Sequence, residues 1–195
     1  YPWPRRSDTG KFNVYQDDLA LFEWVRDGAT EGLRCFEAQV MDFADDVAYC
    51  VHDLEDAIVS GAFDPGTLRR PEVREDVVAS ARSEYAPRID SGLLTDAAQR
   101  VSALPFWPDG FGASARDLAA LKHMTSSLIR RFCSAAQTAT RHEYGGQPLR
   151  RYDAGLIVPQ DVLAEVAVLK AITYNHVMRG NTGRYDWERS VISDV

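Results

Sequence analysis

Apolar residues recur every three to four positions along nearly the whole of this sequence, the spacing of helix faces rather than of strands. The fold class expected is therefore all-α, a multi-helix bundle. At most one short hairpin is allowed, at Leu149–Val158, where Gly145 and Gly146 have ended a helical pattern. With 195 residues, 45% of them hydrophobic, the chain has apolar mass for a shared core, which excludes disorder as its main state. No repeat or low-complexity tract divides it, so residues 1–195 read as a single helical region.

Local signals set the expected elements. Residues 1–15 form a polar entry, and Asp17 and Asp18 open a short helix through Leu19, Leu21, Phe22 and Val25. A long helix runs from about Phe36 to Ser60 and stops at Gly61. Pro71 suits the first turn of the next, and a shorter one covers about Leu93–Ala103. After the interruption at Ala103–Gly112, Ser114 begins a second long helix towards Thr140. Pro159 begins the last long one, with Val162, Val166, Leu169, Ile172 and Tyr174 inward, and a further helix starts at Trp187. Trp24, Trp107 and Trp187 read as packing anchors.

Charge is distributed unevenly. Between Arg34 and Arg69 there is no Lys or Arg, and eight acids: Glu37, Asp42, Asp45, Asp46, Asp53, Glu55, Asp56 and Asp64. The other residues hold all 22 basic groups and 21 of the 29 acids, so this segment carries the whole excess behind the net charge of −7. Nucleic acid is not indicated as a partner; a cation is, locally. No apolar run approaches the roughly 20 residues needed to cross a bilayer, so no membrane is expected. Three widely spaced cysteines, Cys35, Cys50 and Cys133, suit a reducing cytoplasm better than a disulfide framework.

On a helical wheel for Phe36–Ser60, Asp42, Asp45, Tyr49, His52, Asp53 and Asp56 share an arc of about 100°, opposite Val40, Phe43, Ala44, Val47, Val51, Leu54 and Ile58. Such an arc is either a solvated face or a cation site. Short Asp is a poor helix former that holds its carboxylate near the backbone, which suits a hard divalent ion. His52 lies about 10.5 Å along the axis from Asp45, too far for both to hold one ion easily. Asp45, Tyr49 and Asp53 are spaced one turn apart, so one ligand and two pocket residues can line up. Cys50 falls towards the packed side and reads as core.

EAQVMDFADDVAYCVHDLED (Glu37–Asp56) resembles the segment of the deoxyguanosine triphosphate triphosphohydrolase family, among the HD-domain phosphohydrolases, that supplies the last metal ligand. KFNVYQDDLALFEWVR (Lys11–Arg26), SSLIRRF (Ser126–Phe132) and LIVPQDVLAEVAVLKAI (Leu156–Ile172) agree with it. The resemblance implies an HD-domain-like helical fold and an enzyme that splits a deoxynucleoside triphosphate into deoxynucleoside and triphosphate. It implies a divalent metal cofactor, Mg or Mn, with Asp45 as catalytic metal ligand and Tyr49 and Asp53 as substrate-binding residues. It also implies a homo-oligomer. The family's other ligands, a His and then a His-Asp pair, lie upstream of the part that residues 1–26 resemble. The chain is thus expected to be the C-terminal portion of a longer enzyme, supplying one ligand of four and inactive alone.

Two alternatives remain at this level: a non-catalytic helical module that kept nucleotide or subunit binding, and a related phosphohydrolase acting on another phosphate ester. Lys122, Arg130, Arg131, Arg150 and Arg151 are candidates to face phosphate, or else solvated charges at helix and loop surfaces. His123 reads as a packed or surface imidazole.

Overall fold

A computed structural model describes residues 14–29 and 32–178, and the helix expected from Trp187 lies outside them. Among the described residues there are six α-helices and no strand: α1 Leu19–Val25, α2 Phe36–Val59, α3 Pro71–Ser80, α4 Ser91–Ser102, α5 Ala115–Tyr144 and α6 Gln160–Thr173. A 3₁₀ turn, Gln16–Asp18, leads into α1, and π turns at Ala81–Tyr85 and Tyr174–Met178 extend α3 and α6. The boundaries follow local chemistry. Gly61 leaves α2 at φ +73°, a conformation that costs a residue without a Cβ little. Asp90 accepts from the backbone N–H groups of Gly92 and Leu93 to cap α4. Ser114 and Asp117 form a reciprocal capping box on α5.

The last long helix is the centre of the bundle. α6 packs against α4, α2, α3 and the π turn at 81–85, while α5 closes over α2. Sequence periodicity assigned α6 one inward side, but the structure buries it almost all round. Ala164, Val168 and Ala171 are enclosed along with Val162, Val166, Leu169 and Ile172, whereas Tyr174 is half-buried. The reason lies in its composition: between Val162 and Thr173 only Glu165 and Lys170 are charged, so no wide polar face is left for water. Glu165, 0% exposed, is accommodated by two arginines. Arg100 of α4 donates from Nε to Oε1 at 3.0 Å, and Arg131 of α5 donates from Nε to Oε2 and from Nη2 to Oε1, both at 2.8 Å.

One allowance goes unused and one expectation is corrected. Leu149–Val158 holds no hairpin, because its backbone donors are taken by side chains of the flanking helices. The N–H of Gly155 donates to the Tyr144 hydroxyl, that of Leu156 to Gln39 Oε1, and that of Ile157 to Thr140 Oγ1. A segment satisfied in this way has no need of a partner strand. Trp24 is not a packing anchor but 66% exposed, with the Arg151 guanidinium 5.6 Å from its ring centroid. Trp107 does anchor: it is buried, and its Nε1 donates to the Pro65 carbonyl at 2.9 Å.

Candidate functional site

The rotational setting of α2 is fixed by what it buries. Val47, Cys50, Val51, Leu54, Ala57 and Ile58 enter the core, burying the expected apolar arc from Val47 onward. Nearer the start of the helix, Val40 and Ala44 stay exposed and Phe43 is half-buried. Burial pushes the Cys50 thiol up to about 12, so it remains a neutral core group. Glu55 enters the core too, held by Lys122 and by Thr125 Oγ1 at 2.8 Å, both on α5. Burial alone would raise the Glu55 pKa, but the hydrogen bonds from Lys122 and Thr125 outweigh it and hold the carboxyl below its usual range.

With α2 pinned from behind, Asp45, Tyr49, His52 and Asp56 are exposed and Asp53 is half-buried. Tyr49 is 63% exposed, unusual for a large aromatic side chain in a bundle. The sequence shows no cation on this helix, but the fold brings three from elsewhere. Arg34 pairs with Asp42, Lys122 with Glu55, and Lys170 of α6 with Asp46, Nζ to Oδ1 2.8 Å. Asp45, Asp53 and Asp56 receive no cation among the described residues. The acids left uncompensated thus include both carboxylates of the Asp45–Tyr49–Asp53 row.

That row was legible in the sequence; its neighbours from other elements were not. Tyr85, in the π turn after α3, stands edge-on to Tyr174 with ring centroids 6.2 Å apart. Burial raises the Tyr85 pKa, and Tyr174, Glu84 and Asp53 add to the rise. Lys170 was visible as the sole cation in the apolar run of α6. Three of the five basic candidates for phosphate are otherwise engaged. Lys122 is held by Glu55 and Arg131 by Glu165, while Arg151 donates from Nη2 to the carbonyls of Trp24 and Val25. His123 is exposed, with its ring 6.1 Å from that of Phe106.

Burial, helped by repulsion from Asp56 and opposed by His52, raises the Asp53 pKa above 3.8. Folding therefore disfavours the ionised form, so the penalty is absent at low pH and complete once pH exceeds the raised value. Asp53→Asn is expected to raise Tm at pH 7 by about 1–2 °C, the size of a typical surface substitution. The gain should vanish near pH 3, which thermal melts at the two pH values check. A gain that persisted at pH 3 would mean that charge is not its cause.

Chemically, Asp45 is a hard oxygen donor on a rigid helix and fits one position in a divalent-metal shell. It does not make a shell alone: among the described residues no three His, Cys, Asp or Glu side chains come together as a metal set. No helix among the described residues is long and apolar enough to cross a membrane.

Comparison with known proteins gives a consistent picture. A protein of Streptomyces coelicolor named deoxyguanosinetriphosphate triphosphohydrolase-like is 46% identical over 185 residues, covering 92% of this chain and 44% of its own. Proteins of the same name from Bifidobacterium longum and Corynebacterium diphtheriae are 38% identical over 205 residues and 37% over 191, covering 100% and 95% of this chain. They are covered over 43% and 44% of their own lengths, so this chain spans a little under half of these relatives. No family model matches, and no solved structure matches.

Proposed function

Starting from a chain that belongs to the deoxyguanosinetriphosphate triphosphohydrolase-like family, we propose that it forms one wall of a metal-dependent site that hydrolyses a deoxynucleoside triphosphate to deoxynucleoside and triphosphate. The observation that carries this reading is selective neutralisation. Among the described residues the fold supplies a cation to Asp42, Asp46 and Glu55 and leaves Asp45, Asp53 and Asp56 without one, the first two lying one turn either side of Tyr49. Placing like charges on one helix face costs stability, so unrelieved carboxylates beside relieved ones suit a cation from outside.

In this reading Asp45 is the chain's metal ligand. The remaining ligands, a His and a His-Asp pair by family resemblance, come from residues other than those described. A divalent ion, Mg or Mn, held in part by Asp45 would supply Lewis-acid chemistry and a water of lowered pKa. The chain's own residues bind and orient. Tyr49, held out from the helix, crowds the 2′ position of the sugar and so favours a deoxyribose. Asp53 accepts a hydrogen bond from the 3′-hydroxyl, a contact that satisfies a half-buried carboxylate without needing a second cation. The site works in the cytoplasm, in a homo-oligomer.

The test uses the full-length protein with a deoxynucleoside triphosphate and Mn²⁺ or Mg²⁺. Release of intact triphosphate with the deoxynucleoside is expected. Orthophosphate alone would instead favour a phosphohydrolase of another phosphate ester. The alternative reading is a helical module without catalysis. Nucleotide binding with no turnover in the full-length protein would establish that reading.

A further inference from the structure

Among the six α-helices, α1 alone encloses none of its residues. Leu21, Trp24 and Val25 are 62%, 66% and 42% exposed, and helical spacing puts them within an arc of about 100°. Asp17 precedes Leu21 by four residues and Asp18 precedes Val25 by seven, so both exposed acids stand at the leading end of the same face. Between Asp17 and Asp27 there are four acids and one arginine. An apolar face left open to water in this way marks an interaction site. The bundle does not cover it: Arg151 holds α1 through the carbonyls of Trp24 and Val25, and the face stays exposed.

A surface of opposite character lies elsewhere in the fold. A groove of about 690 Å³ is lined by α3, the π turn at 81–85, the loop after it and α4, away from the Asp45–Tyr49–Asp53 row of α2. Val78, Ala79 and Pro87 give it apolar walls, and Arg74 and Arg82 outnumber its one carboxylate, Glu75. The two arginines are eight residues apart, about 12 Å along the helix. Each is steadied by a neutral acceptor, Arg74 Nη1 donating to the Arg69 carbonyl and Arg82 Nη1 to Ser91 Oγ, both at 2.7 Å. Neither has an ion-pair partner among the described residues.

We propose that this groove receives α1 of a second copy of the chain. Leu21, Trp24 and Val25 enter against Val78, Ala79 and Pro87, while Asp17 and Asp18 meet the guanidinium groups. Interface energy concentrates in Trp and Arg, and here one side brings the tryptophan and the other the arginines. The two surfaces differ, so the contact is heterologous, and its repetition closes a ring or extends a filament. One helix of seven residues buries less than the roughly 800 Å² per partner of a standard interface. Association through this contact is therefore concentration-dependent and, through its charges, weakened by salt. The contact supplies an interface for the homo-oligomer given above and stands independently of the hydrolase reading.

Sedimentation of the full-length protein over about 1–100 μM at low ionic strength provides the test. Wild type is expected to self-associate. Asp17→Lys with Asp18→Lys in one variant, and Arg74→Glu with Arg82→Glu in another, should each weaken association by about a hundredfold, the scale of like charges opposed across an interface. Mixed in equal amounts, the two should associate again. The acidic α1 of the second then meets the arginines of the first, and the lysines of the first meet the glutamates of the second. A variant that had merely lost its fold would not be rescued in this way. A wild type that stays monomeric overturns the proposal, since α1 is then covered by the rest of the longer protein or by another partner. Association that neither reversal weakens overturns it too, as does a mixture that stays apart. Triphosphate release by wild type, assayed in parallel, decides the hydrolase reading separately.

Discussion

Glu165→Ala is expected to destabilise the protein by about 2–3 kcal/mol, below the usual cost of about 3–5 kcal/mol for breaking a buried ion pair, because the Arg100 and Arg131 side chains left behind are 36% and 35% exposed and stay partly hydrated. Glu165 lies fully enclosed on the central helix and takes three hydrogen bonds from two guanidinium groups. Truncating it removes the sole acceptor that Arg100 has among the described residues, and Arg100 Nη2 is already buried without a partner. Arg131 would lose its bidentate partner at the same stroke, and the Glu165 hydrogen bonds that hold its pKa up. Against a typical total stability of 5–15 kcal/mol, that loss is a large fraction. Denaturant unfolding measures it directly. The mechanism predicts a second outcome: replacing Glu165, Arg100 and Arg131 together by apolar residues of similar volume recovers most of the loss, because no uncompensated charge remains. A single-variant loss under about 1 kcal/mol would show that the triad is solvated well enough not to matter.

The same triad shows where sequence reading stops. Helix positions follow from local chemistry, so Gly61, Pro71, Ser114 and Pro159 mark ends and starts close to where the structure has them. The setting of α2 follows from its own apolar arc, which is why the Asp45–Tyr49–Asp53 row is readable from sequence alone. Pairings across tens of residues carry no local signal. Nothing in the vicinity of Asp46 points to Lys170, and nothing near Arg131 says that it is spent on Glu165 rather than free for phosphate. Leu149–Val158, where a hairpin is allowed by sequence, forms none for a related reason. Its closing apolar run, Leu156 to Val158 after Gly155, is compatible with a strand, but Gln39, Thr140 and Tyr144 are placed by tertiary structure to take its donors first. Trp24 differs again: aromatic bulk predicts burial on average, yet its helix α1 has no buried residue among those described.

Asp45→Ala in the full-length protein is expected to abolish Mn²⁺ binding at this site and to cut triphosphate release by more than about 100-fold, beyond the 10–100-fold cost of losing a group that merely supports a ligand. The fold should survive with Tm unchanged or slightly raised. Asp45 is exposed and has no ion pair among the described residues, and alanine is the better helix former. Relief of repulsion from Asp42, one turn away, acts in the same direction. General loss of negative charge would weaken cation binding at any of these acids, so the comparison that decides is Asp46→Asn. Asp46 differs from Asp45 by one position on the helix and is already answered by Lys170. If Asp45 is a ligand and not one part of a diffuse acidic field, Asp46→Asn leaves Mn²⁺ affinity within about threefold, on the scale of a screened surface charge. Calorimetric Mn²⁺ titration of both variants, with thermal melts to confirm folding, checks this. Equal loss in the two variants would reduce the α2 face to a solvated acidic surface, and unimpaired turnover by Asp45→Ala would remove the residue from the reaction altogether.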